Sequence, residues 1–245
     1  MKKVLCTVAL LLIASPVFAA SFVNGGFEDG NLNGWTGGGG SWYGGWPVDP
    51  ATYNGGPANN TIMSGGLDPI TGLSTVYNGN YSVRVNDSYN NYSVSTLRQS
   101  VTGYADNHMY FQWQAVLQGS HGLTDSDYFS LTLKDDTTNL NVVSIAYSSA
   151  SAPGTFTNIG NGWFTNGWTT EDIDLQAMGL LSHDFTLSLL ASDCPYGGHA
   201  GYVYLDGFAP VIVPPGSAVP EPATMLLFGT GLAGLAAVGR RKATK

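Results

Sequence analysis

The sequence has little cysteine and little positive charge. Its 245 residues hold two cysteines, Cys6 and Cys194. Cys6 lies within an apolar N-terminal stretch, which leaves Cys194 alone and excludes an internal disulfide framework. Cys194 reads as a small buried side chain, with a nucleophile near His199 as the alternative. No cation flanks it, and Asp193 should raise its pKa. Six of the nine Lys and Arg (Lys2, Lys3, Arg240, Arg241, Lys242 and Lys245) crowd the two ends. Only Arg84, Arg98 and Lys134 lie between them, against sixteen acids, for a net charge of −13. Such a surface repels phosphate backbones and excludes nucleic acid as a partner. Catalytic signatures are missing as well. There is no GxSxG and no GxxxxGK[ST], and His108, His121, His183 and His199 show neither HxH nor HExxH spacing, which gives zinc no support. Gly119-Ser120-His121-Gly122 sets serine beside histidine, but adjacency in sequence does not make an oriented triad. Sixteen acids supply some pair at glycosidase distance in any fold, so no catalytic residue is assigned. Asp125 and Asp127 read as loop carboxylates before a strand. Helix signals are almost absent between residues 20 and 218.

What is present begins at the two ends. Lys2-Lys3, the apolar run Val4 to Ala14 and the small residues up to Ala20 have the charged, hydrophobic and small-residue parts of a signal peptide. Cleavage after Ala19 fits best and leaves Ala20 first. At the other end, Val219-Pro220-Glu221-Pro222 leads into the uncharged run Ala223 to Gly239, 17 residues, and then Arg240-Arg241-Lys242. That length is the lower edge of a membrane-spanning helix, and the cations should stay on the cytoplasmic side. The prolines keep the backbone extended, as a protease requires of its substrate. Pro220, Glu221 and Pro222 with Arg240 and Arg241 resemble the PEP-CTERM sorting signal of Gram-negative bacteria that make exopolysaccharide. The resemblance implies recognition and cleavage by an exosortase-type membrane protease after export through the Sec translocon. A C-terminal anchor that is never cut is the alternative.

These features divide the chain into a signal peptide (1–19), a body (20–213), a Pro-rich linker with the PEP motif (214–222) and a hydrophobic sorting helix with a basic tail (223–245). The body alternates. Met109, Phe111, Trp113, Ala115 and Leu117 share one face of a strand, with Tyr110 and glutamines on the other. Tyr128–Lys134 repeats the pattern. Further strands are expected at Tyr81–Asn86, Val94–Val101, Leu140–Tyr147, Thr169–Leu175, Phe185–Ala191 and Gly201–Asp206. Turn clusters separate them at Asn78-Gly79-Asn80, Asp135-Asp136 and Asn158 to Gly162. Eight or nine such strands predict an all-β fold of two antiparallel sheets, a jelly-roll β-sandwich. Glycine density from Gly34 to Gly66 should weaken regular strands and give a long excursion over the sandwich.

Asn24 to Trp35, with Gly26-Phe27-Glu28 at its centre, resembles the opening of galactose-binding-like jelly-roll carbohydrate-binding modules. Asp193 to Phe208 resembles their closing strand, with Tyr204-Leu205-Asp206 as an aromatic-x-Asp pattern. The resemblance implies that Phe27 and Trp35 enter the core, and that the first and last strands bring Glu28 and Asp206 together as a structural calcium site. Separate turn caps are the alternative. His199 becomes a loop residue at the end of the last strand. Exposed members of Trp35, Trp42, Trp46, Trp163 and Trp168 are the expected sugar contacts, because indole rings stack on the apolar faces of sugars. The reading is an exported, non-catalytic surface or matrix protein associating with exopolysaccharide or cell-envelope glycan. It is membrane-anchored as a precursor, then mature at the surface or outside. A structural matrix protein or adhesin without a defined ligand, and a polysaccharide hydrolase or lyase, stay open.

Overall fold

The computed structural model describes residues 21–44, 48–119, 121–151 and 154–209. The signal-peptide reading with Ala19 and Ala20, the PEP linker, the hydrophobic segment with Arg240 and Arg241, and Trp46 lie outside the described residues. Among the described residues, no helix is long and apolar enough to cross a membrane.

Among the described residues, twelve strands form in the order β1 (Thr36–Ser41), β2 (Asn60–Ser64), β3 (Tyr81–Val85), β4 (Ser93–Tyr104), β5 (His108–Gln118) and β6 (Tyr128–Asp135), followed by β7 (Leu140–Ser148), β8 (Thr157–Gly160), β9 (Trp163–Thr165), β10 (Thr169–Asp174), β11 (His183–Ser192) and β12 (Gly201–Ala209). One sheet runs β1-β4-β11-β6-β7. The other runs β2-β3-β12-β5-β9-β8, with β10 also beside β5. All strand pairs are antiparallel. The two sheets pack face to face as the predicted sandwich.

The core follows from the alternation. Phe111, Trp113, Ala115 and Leu117 of β5 meet Phe129, Leu131 and Leu133 of β6 and Leu187 and Leu189 of β11 across the sheets. Each buried side chain of this size contributes on the order of 2 kcal/mol. At one end the aromatic rings interlock. Phe27 lies 5.1 Å from Trp35 between ring centroids, and Phe208 lies 4.7 Å from both Phe22 and Phe111. Phe27 and Trp35 therefore enter the core as expected.

The glycine-rich segment departs from expectation. Gly37 to Gly40 form most of β1, a regular edge strand paired with β4 from Thr36–Arg98 to Ser41–Ser93. The glycines serve close approach. A Cβ on Gly38 would run into the Tyr53 carbonyl oxygen, and one on Gly39 into that of Pro57. The backbone of the 53–58 segment packs directly on the strand at Gly38 and Gly39, which explains why only glycine fits there. Asn158 to Gly162, expected as a turn, includes most of β8, and its hairpin with β9 closes through a register shift. β2 was not foreseen either.

Candidate functional site

Two features of the larger sheet concentrate polar groups where the fold excludes water. The first is on its outer face, opposite the core. Alternation turns Arg84 of β3, Tyr202, Tyr204 and Asp206 of β12, and Gln112, Gln114 and Val116 of β5 outward together. The register sets Arg84, Tyr204 and Gln114 in one row and Tyr202 beside Val116. The glutamine face of β5 points away from the core, yet Gln112 is 2% and Gln114 0% exposed. The cover comes from the segment around residues 65–78 and from Trp163 and Trp168. Asp68 accepts hydrogen bonds from Tyr202 Oη at 2.8 Å and Tyr204 Oη at 2.7 Å. Burial works against the Asp68 carboxylate, but hydrogen bonds from both tyrosines and from Ile70 and Thr71 hold its pKa below the usual range. The Arg84 guanidinium lies 5.7 Å from the Tyr202 ring centroid. Trp168 donates through Nε1 to Ser74 O and leans on Tyr77 and Tyr204. Beneath these rings Arg84 Nε and both amide atoms of Gln114 are buried without a hydrogen-bond partner. Buried polar atoms left unpaired cost about 1–3 kcal/mol each, so this row is chemically unsatisfied.

The tryptophans expected as sugar contacts divide. Trp35 and Trp42 are core side chains, 8% and 2% exposed, and drop out of the set because the sandwich needs their area inside. Trp35 Nε1 donates to Asn24 O and Trp42 Nε1 to Asp193 O. Trp163 and Trp168 are half-buried on the outer face. Tyr77, which the sequence reading had not singled out, joins them.

The second feature is a pair of carboxylates gripping one turn. β1 and β12 lie in different sheets. It is therefore the segment before β1, not the strand itself, that reaches the last strand, where Phe208 N donates to Gly25 O. From that segment Glu28 accepts hydrogen bonds from Asn80 N, Asn80 Nδ2 and Tyr81 N at 3.0–3.1 Å. From β12, Asp206 Oδ2 accepts from Tyr77 N at 2.9 Å and Asn78 N at 3.0 Å. Both acids thus hold the 77–81 turn from opposite ends of the chain. Gly79, at φ +74°, allows the grip, since any Cβ there would strike the Glu28 carboxylate. Phe27 immediately precedes Glu28 and is fully buried at φ +59°, a strained conformation for a bulky residue. Asp206 Oδ1 and Asn78 Oδ1 are buried there with no partner. Burial pushes the Asp206 carboxyl up to about 8, and the Glu28 charge adds to the rise. Orphaned oxygens of two carboxamide or carboxyl groups beside a second carboxylate suit a hard, oxygen-seeking cation.

Cys194 is fully buried, as the simpler reading expected. Its thiol donates to Asp125 Oδ1 at 2.9 Å, and burial together with that contact pushes its pKa up to about 12. Asp127 lies on the loop immediately before β6, as expected, and is 0% exposed, with burial pushing its carboxyl pKa well above the usual range.

A search of curated proteins found no match. Among solved structures, the chain is similar to TmCBM61 in complex with β-1,4-galactotriose, at 12% identity and a TM-score of 0.43, covering 77% of this chain and 95% of that one. It is similar to a carbohydrate-binding module specific for non-crystalline cellulose at 14% identity and a TM-score of 0.39, covering 80% and 96%. It is also similar to the K2 cleaved adhesin domain of Lys-gingipain at 15% identity and a TM-score of 0.37, covering 78% and 95%. Residues 218–242 match the model for the PEP-CTERM protein-sorting motif, and the chain therefore carries the C-terminal sorting signal of an exported protein, placed after an all-β sandwich.

Proposed function

We propose that the sandwich is a non-catalytic binding body that holds a polysaccharide of the cell's own matrix or envelope on the outer face of its larger sheet. The observation that carries this is the cluster of partly exposed rings, Tyr77, Trp163 and Trp168, gathered on that face. Indole and phenol rings stack on the C–H faces of sugars. The anionic surface and the sorting motif suit work outside the cytoplasm, where matrix glycan is the abundant ligand. Affinity electrophoresis of the exported protein through gels containing that polysaccharide tests it. Retardation is expected for the wild type and should fall at least tenfold in affinity for Trp163→Ala/Trp168→Ala, with the melting temperature little changed. Equal mobility of the two proteins in every polysaccharide would overturn the reading. A structural matrix protein or adhesin without a defined ligand is the second reading, favoured by the burial of Trp35 and Trp42.

The carboxylate clasp at Glu28 and Asp206 is proposed to hold structural calcium, with Asn78 Oδ1 as a further oxygen. Calcium would neutralise two acids in a chain of strong negative charge and lock the 77–81 turn. Calorimetric titration with Ca²⁺ should give saturable binding and a raised melting temperature, both lost in Glu28→Gln. Wild-type protein indifferent to Ca²⁺ would sink this part without touching the glycan face.

A further inference from the structure

At the end of the sandwich away from the Glu28 clasp, two loops bring together three ligand groups that lie far apart in sequence. The loop before β12 turns back on itself. Cys194 N donates to His199 O at 3.0 Å and Gly197 N to Cys194 O at 3.1 Å, which places the Cys194 and His199 side chains on one side of the turn. The loop after β5 is closed by His121 N donating to Asp125 O at 3.0 Å. It lays the His121 ring over His199, with centroids 4.4 Å apart. One donor atom each from His121, Cys194 and His199 falls within 4.8 Å of the others. The sequence spacing gave zinc no support because the cluster is assembled by fold and not by a local motif.

Three further observations point to a ligand. His199 Nδ1 is buried and has no hydrogen-bond partner. The two imidazoles lie tilted at 57° to each other beside the Asp125 carboxylate. His121 Nδ1 lies 3.2 Å from Asp125 Oδ1, which leaves Nε2 as the ring nitrogen free to coordinate. Asp125 also accepts the Cys194 S–H at 2.9 Å. A carboxylate behind a metal-binding histidine fixes its tautomer and orientation, and the same carboxylate here touches two of the three ligands. One thiolate and two imidazoles suit a borderline divalent ion such as Zn²⁺. Bond lengths of about 2.0–2.3 Å require the donors to close by roughly an ångström from their present spacing. Hard calcium prefers the oxygen set at the other end of the molecule.

We propose that His121, Cys194 and His199 form a binding site for Zn²⁺ or a similar borderline divalent cation, oriented by Asp125, that ties the 121–125 loop to the 194–199 loop. On binding, Cys194 loses its proton to solvent and its sulfur becomes a metal ligand, while both imidazoles bind as neutral rings. The half-exposed side of His121 leaves a fourth position for water.

Co²⁺ is the probe, added to the full chain purified without a histidine tag and freed of metal. Expected are a thiolate-to-cobalt charge-transfer band in the near ultraviolet and visible bands of tetrahedral intensity, both displaced by one equivalent of Zn²⁺. Cys194→Ser should abolish the charge-transfer band. His121→Ala, at an exposed position that the fold does not need, should weaken Co²⁺ binding more than tenfold at unchanged melting temperature. Asp125→Asn should weaken it about 10–100-fold. Glu28→Gln should leave the spectrum unaltered, which separates this site from the calcium clasp. Absence of the charge-transfer band in the wild type, or cobalt affinity indifferent to His121→Ala, would overturn the assignment.

Discussion

Replacing Asp206 with asparagine isolates the energetics of the clasp. Asp206 is 1% exposed, and its carboxyl is pushed up to about 8, against an ordinary value near 3.8. A group whose folded pKa is raised contributes stability that is complete below its unfolded pKa and is lost as pH climbs through the folded value. For Asp206 that window runs from about pH 4 to about pH 8. Within it, each pH step should cost the folded state about 1.4 kcal/mol, and the accumulated cost near pH 7 is about 4 kcal/mol, an upper figure that relaxation would trim. Asparagine keeps an oxygen to accept from Tyr77 N and Asn78 N but cannot ionise. The assay is urea unfolding with a chelator present, run at several pH values between about 5 and 8. Wild-type stability should fall more steeply with pH than that of Asp206→Asn, and the two lines should diverge by roughly the slope above. Asp127 and Asp193, both buried with raised pKa values, titrate in the same direction in both proteins and cancel in the difference. Parallel lines would refute the argument that this carboxyl is buried and neutral in the metal-free protein. Saturating Ca²⁺ should flatten the wild-type slope, because the ion compensates the charge that burial penalises.

Trp35→Ala should destabilise by about 3–5 kcal/mol, since it empties a site ringed by Phe22, Phe27 and Phe208. Trp168→Ala, at a half-buried ring on the outer face, should cost well under half as much, so a thermal melt of the two variants separates core indoles from surface ones. Mass spectrometry of protein recovered from cells and medium should give Ala20 as the first residue and a C-terminus short of Ala223 in the released form. Intact termini in every fraction would exclude processing.

The alternating strands and the two-sheet architecture were legible because β5, β6 and β11 alternate without interruption, and a period of two admits no other regular structure. Boundaries moved by a few residues: β4 runs on to Tyr104 where Val101 was expected. β1 was not legible. Four consecutive glycines carry no face, and the packing of residues 53–58 against them depends on contacts far along the chain. Glu28 and Asp206 were paired through the family resemblance, and the fold does bring both onto one turn, though by the segment before β1. The glutamine face of β5 was read correctly as the side away from the core, but nothing in a strand pattern says that a distant loop will cover it. For the same reason His121 and Cys194, separated by 73 positions in the sequence, gave no motif.

β12 fills the slot between β3 and β5, the middle of the larger sheet. The last of the described strands in sequence is therefore the one both halves of that sheet wait for. Until it is in place, β3 and β5 each offer an open edge, and the aromatic plug around Phe208 is missing. Residues 218–242 follow almost at once. A membrane hold at that point would keep the newborn body tethered while its keystone strand slides home, and release by cleavage would come only to a chain able to close.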